Sequence, residues 1–138
     1  MDLLKKILVA VDGSPSSLRA AEMAIELASE NKSELDVAAV ALFPDDSNSM
    51  LVKECGAFNK LVNDVVAKAK RRRVKATPII LEGVAEEVLV KLVRKRKSEL
   101  AVIGYWGSDA FSEIRRLALG NIHSALLREP DVPVLVVK

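Results

Sequence analysis

The chain has 138 residues, enough to bury a core as one domain over 1–138 and too few for two ordinary ones. Its 21 basic and 19 acidic residues leave a net charge of +2, which argues against a surface built wholly for nucleic acid or anionic membrane. A single cysteine, Cys55, excludes an internal disulfide and a cysteine-based zinc cluster. Half the residues are hydrophobic but only 4% are aromatic, so the core is aliphatic, as suits a parallel sheet covered by helices. No apolar run approaches the length of a membrane span, and the first residues lack the order of a signal peptide, so a cytoplasmic location is expected.

In chain order, Ile7 to Val11 is a continuous apolar run that reads as a strand buried on both faces. Asp12-Gly13-Ser14-Pro15 ends it, with Ser14 suited to cap a helix and Pro15 to occupy its first position. That helix is expected to reach about Asn31 and to turn Leu18, Ala21, Ile25 and Ala28 inward. Leu35 to Leu42 reads as a second strand and Pro44 to Ser49 as a polar loop. Leu51, Cys55, Phe58, Val62, Val65 and Ala69 then alternate by four and three, the stripe of a long amphipathic helix that Gly56 weakens only locally.

Val74 to Leu81 is a third strand, and Pro78 inside it restricts it to an edge of the sheet. Gly83 to Lys97 is a third helix, with Val84, Val88, Leu89 and Leu92 expected to face inward. Leu100 to Ile103 is a fourth strand, Gly120 to about Arg128 a fourth helix, and Val134 to Val137 a last strand. Strict alternation predicts an α/β fold: an open, doubly wound five-stranded parallel sheet with helices on both faces. With the third strand at an edge, the order is 3-2-1-4-5. The crevice of such a sheet opens where the order reverses, beyond the ends of strands one and four, at Asp12 and Gly104.

Gly104, Gly107 and Gly120 bracket a turn where backbone amides are able to surround a phosphate, and Asn121 follows as a helix cap or a phosphate ligand. The residues themselves leave two readings open. Asp12 accepts ribose hydroxyls or closes a turn through its own backbone, and the Gly104/Gly107 pair approaches a phosphate or allows tight packing. Tyr105 and Trp106 stack on a base, plug the crevice or pack beneath the loop. His123 has no evident orienting partner and reads as structural or surface. The basic runs Lys68 to Arg73 and Arg94 to Lys97 fall at helix C-termini, where they read first as solvated charges complementing the helix dipole, with a polyanion-binding patch as the alternative. Nucleic acid is therefore not among the expected partners.

Lys6 to Ser14, Gly83-Val84-Ala85-Glu86-Glu87 and Asp131 to Val137 resemble, in order and separation, segments of the universal stress protein family. The resemblance covers essentially the whole chain. It implies the same 3-2-1-4-5 sheet and a homodimer formed through the final strand, Val134 to Val137. ATP-binding members of that family carry G-x2-G-x9-G followed by Ser or Thr, with an acidic residue ending the first strand. Asp12, Gly104 and Gly107 match, but twelve residues separate Gly107 from Gly120, and Asn121 replaces the hydroxyl residue.

By resemblance, Ala10 and Val40 would be adenosine-side contacts, making Ala10, Asp12, Val40, Gly104, Gly107, Gly120 and Asn121 the candidate nucleotide site. ATP is the candidate cofactor, with no metal beyond nucleotide-associated magnesium and no catalytic residue. The expected function is that of a regulatory, stress-linked binding domain rather than an enzyme. Weak ATP hydrolysis would need water and metal positioning that no residue clearly provides. Nucleotide would act through the loop from Tyr105 to Leu119 on the choice of a protein partner that the sequence does not name. The alternative is a nucleotide-free dimeric interaction module whose altered loop fills the crevice.

Overall fold

A computed structural model describes residues 4–41, 48–83, 85–105, 128 and 132–138. Strand β1 (Lys6–Ala10) leads into helix α1 (Pro15–Asn31), then β2 (Glu34–Ala41), α2 (Asn48–Arg71), β3 (Ala76–Glu82), α3 (Ala85–Arg96), β4 (Leu100–Gly104) and β5 (Val134–Val137). All strand pairings are parallel and the sheet order is β3-β2-β1-β4-β5, as the sequence predicts. The expected fourth helix, with Gly120, Asn121 and His123, lies outside the described residues. So do Val84, Trp106 and Gly107, and the side chains of Leu51 and Cys55.

Alternation within the strands divides the core in two. On one face Ile7, Val9, Leu35, Val37 and Val102 pack beneath α1 and α2, against Ala21, Ile25, Phe58, Val62 and Val65. On the other, Leu8, Ala38, Ala101 and Ile103 pack with Leu89, Leu92 and Val93 of α3. The aliphatic composition is thus used on both sides of each central strand.

Two helix faces differ from expectation. Leu18 is exposed, because the buried arc of α1 is centred on Ser17, Ala21, Ala24 and Ala28, and Leu18 falls at its margin. The inward face of α3 is Leu89, Leu92 and Val93, with Val88 only half-buried. Helix α2 starts at Asn48, so Asn48 and Ser49 belong to a helix and not to the polar loop. Helix α1 begins as expected, with Ser14 as N-cap and Pro15 in the first turn.

Both sheet edges follow from local chemistry. The Leu35 N–H donates to the Lys75 carbonyl at 2.9 Å. In a parallel ladder this sets the odd-numbered residues of β3 to bond β2 and turns the backbone groups of Pro78 outward. The missing donor therefore costs the ladder nothing and removes one hydrogen-bonding group from the open edge. At the other edge, Ala101 N–H donates to the Pro133 carbonyl at 3.0 Å, so Val134 and Val136 of β5 turn their backbone groups outward.

One ion pair ties α3 to the sheet. Asp36 of β2 is 5% exposed and accepts from Arg96 Nε at 3.0 Å and Nη2 at 2.8 Å, a two-pronged contact. The hydrogen bond to Asp36, then its charge, raises the Arg96 guanidinium above its ordinary value.

Candidate functional site

The chain turns from β1 into α1 through a compact serine-rich network. The Ser14 N–H donates to Asp12 Oδ1 at 2.9 Å, closing a turn across Gly13, whose φ of +88° suits glycine. The Ser17 hydroxyl accepts from the Asp12 N–H at 3.2 Å and donates to the Ser14 carbonyl at 3.0 Å. Ser16 and Ser17 are both buried, and the Ser16 hydroxyl donates to the Tyr105 carbonyl. The start of α1 is thereby fastened to the ends of both β1 and β4. Sequence reasoning singled out only Ser14 here, as a helix cap, and missed Ser16 and Ser17. The available signal was two hydroxyl residues just after a helix cap, beside a strand end.

Gly104 has a steric reason of its own. A Cβ there would lie 2.6 Å from Ser16 C and Ser17 N and 2.8 Å from Ser16 Oγ. Only glycine lets β4 pass this close to the first turn of α1. Of the two readings of Gly104, the packing one accounts for the residue without any ligand.

Asp12 keeps both of its readings. It is half-buried and uses Oδ1 to close the turn, while among the described residues Oδ2 takes no hydrogen bond. Ala10 and Val40 both pack against the α3-side cluster near the carboxyl end of the sheet. Thus Ala10, Val40 and Gly104 lie at or near the carboxyl ends of β1, β2 and β4, with Asp12 just beyond β1, the end at which the crevice is expected. Gly107, Gly120 and Asn121, the rest of the predicted set, lie outside the described residues.

Tyr105, the last described residue before the loop, is 51% exposed. Its N–H donates to the Val137 carbonyl at 2.6 Å, extending the β4–β5 ladder by a rung. Lys138 Nζ sits 5.8 Å from the centre of its ring, a cation–π contact, and the Lys138 carbonyl accepts from Arg19 Nε at 2.7 Å. Among the described residues no group of three or more His, Cys, Asp or Glu is placed to hold a metal ion, and no helix is long and apolar enough to cross a membrane.

A model described as the universal stress protein family matches residues 4–138. A curated relative, a universal stress protein of Methanocaldococcus jannaschii, is 33% identical, the match covering 99% of this chain and 84% of the relative. Among solved structures, a universal stress protein family member from Burkholderia pseudomallei is 26% identical, covering 98% and 96% of the two chains, with a TM-score of 0.74. UspA from Lactobacillus plantarum is 17% identical, covers 98% of each chain and has a TM-score of 0.82, a likeness of fold. Further structures of this fold are universal stress proteins in complex with cAMP, with dAMP (Archaeoglobus fulgidus) and with AMP (Arabidopsis thaliana), with TM-scores of 0.73, 0.71 and 0.69.

Proposed function

The chain belongs to the universal stress protein family, and from that premise we propose that it is a cytoplasmic, dimeric regulatory domain that binds an adenine nucleotide rather than turning one over. The observation that carries the proposal is Asp12. One carboxylate oxygen is spent on the turn, and the second takes no hydrogen bond from the described residues at the crevice mouth. That is the acceptor a ribose hydroxyl requires. Ala10 and Val40 supply apolar surface on the α3 side of the sheet for a nucleoside. The adenine nucleotides in three structures of this fold support the same choice of ligand.

ATP is one candidate within this class, with any magnesium carried by its phosphates. Gly107, Gly120 and Asn121 would face them. Oligomerisation is assigned to β5, because among the described residues nothing bonds its outer backbone groups and Val136 is exposed.

Isothermal titration with ATP, ADP, AMP and cAMP tests the ligand. Saturable heat at submillimolar concentration is expected for at least one of them. Asp12→Asn keeps an oxygen for the Ser14 turn but replaces the other acceptor with a donor. It should weaken binding by about tenfold, the worth of one charge-assisted hydrogen bond, and leave the melting temperature unchanged. No heat at millimolar nucleotide would overturn the proposal.

A further inference from the structure

The basic runs look like separate helix ends in the sequence, but the fold gathers them on one surface. In a parallel α/β sheet the helix C-termini and the strand starts share an end, opposite the crevice. Here the starts of β3, β2, β1 and β4 are stitched side by side. Leu35 N–H donates to Lys75, Glu34 N–H to Lys5 and Glu99 N–H to Lys6, at 2.9, 2.8 and 2.8 Å. At about 4.8 Å per strand these starts span roughly 14 Å, with helix ends on both sides of the sheet.

The end of α2 brings Lys68, Lys70, Arg71, Arg72, Arg73 and Lys75, all exposed. The end of α3 brings Arg94, Lys95, Arg96 and Lys97, and Lys5, Lys6 and Lys32 complete the set. Among the described residues four acidic side chains share this end: Glu34 pairs with Lys75 at 3.5 Å, Asp36 with Arg96, Glu99 accepts the Lys5 N–H, and Glu30 is exposed. Among the described residues of these segments, thirteen basic against four acidic residues give a charge of +9, against +2 for the whole chain. The near-neutral total hides a strong local excess of positive charge.

Helix dipoles alone do not require this density. They also do not explain the αL positions. Among the described residues the non-glycine positions of positive φ are Lys32, Arg73 and Lys97, at 54°, 61° and 55°. Each follows one of the three helices, where glycine is the usual residue and a side chain is strained. A cation stands there three times out of three.

We infer that this end of the protein is a docking face for the phosphate backbone of a nucleic-acid duplex, bound without sequence preference. The segments that form it, 4–6, 30–36, 68–76 and 94–100, contain no aromatic residue on which an unpaired base would stack. Among the described residues the exposed large hydrophobic side chains, Leu18, Met23, Tyr105 and Val136, lie outside it, which leaves its described part without an apolar wedge for a lipid surface. What remains is a broad cationic platform, comparable in width to a duplex groove, which reads charge and spacing.

Fluorescence polarisation with a labelled 20-base-pair DNA duplex tests this. Four to five phosphate contacts predict a logarithmic salt slope near −4, so affinity should fall by about 250-fold between 50 and 200 mM salt. The double variant Arg73→Gly/Lys97→Gly relieves two αL side chains. It should melt higher than the parent while its slope flattens by about 2 and its affinity at 50 mM salt falls at least tenfold. A merely structural role would raise the melting point and leave binding alone. The inference is overturned by no polarisation change at 50 mM salt, by a slope near zero, or by a variant that binds like the parent. Tighter capture by phosphatidylglycerol vesicles than by duplex would also overturn it.

Discussion

Replacing Gly104 by alanine isolates the contact between β4 and α1. The new methyl carbon would sit 2.6 Å from two backbone atoms of the first turn of α1, whereas ordinary contact begins near 3.4 Å. Relief requires the strand end and the helix start to separate by about 0.8 Å, and both obstructing atoms are backbone, so no rotamer change absorbs it. The same turn carries the Ser17 hydroxyl that holds Asp12 N–H and the Ser16 hydroxyl that holds Tyr105. Overpacking of this kind costs about 1–3 kcal/mol. For a chain of this size that is a fall in melting temperature of roughly 3–12 °C. Urea unfolding of ligand-free protein measures it directly. Gly56→Ala is the control: nothing lies within 4 Å of its Cβ, and it sits inside α2. It should stabilise by about 0.5–1 kcal/mol. If Gly104→Ala unfolds within 0.5 kcal/mol of the parent and loses only nucleotide affinity, the packing explanation of this glycine is wrong.

The Asp36–Arg96 pair should respond asymmetrically. Arg96→Ala strands a carboxylate whose side chain is 7% exposed, whereas Asp36→Ala releases a guanidinium already 36% exposed. The first should cost about 2–4 kcal/mol in urea unfolding and the second no more than about half of that; equal costs would refute the burial argument. Because the Arg96 value is raised, its contribution is complete below the ordinary arginine range of about 12 and is lost only above it. The cost of Arg96→Ala should therefore be the same at pH 7 and pH 9. For the assembly, Val136→Asp places like charges near one another across a two-fold strand pair. Native mass spectrometry should show a dimer for the parent and a monomer for the variant; a retained dimer would move the interface off β5.

The sheet order was legible because two signals agree: unbroken apolar runs mark central strands, and Pro78 marks an edge. Ser14-Pro15 marked the start of α1 for an equally local reason. The site was legible in place but not in cause. Gly104 announces that something comes close, and nothing in the sequence says whether that is a phosphate or a helix. The fold identifies the helix, through Ser16 and Ser17. Leu18 shows the limit of periodicity, since a stripe read from apolar residues alone does not fix where its margin falls when alanines and serines fill the contact. Tyr105 shows another limit: its partners are the last two residues of the chain, thirty-two positions and more away, and no local pattern reports them. The cationic end was visible as two runs, yet its density emerges only when three helix ends and the strand starts share a surface.

Pro78 has a consequence for growth. A parallel sheet ends in two edges, and a chain that could pair at both would polymerise into a ribbon. Here the outward backbone of β3 lacks a donor at its middle, while that of β5 is intact. Edge-to-edge pairing is thereby disfavoured at β3 relative to β5. If two copies pair through β5 as proposed, that pair would use the open edge of both and present only proline-interrupted strands to a third, so such assembly would close at two.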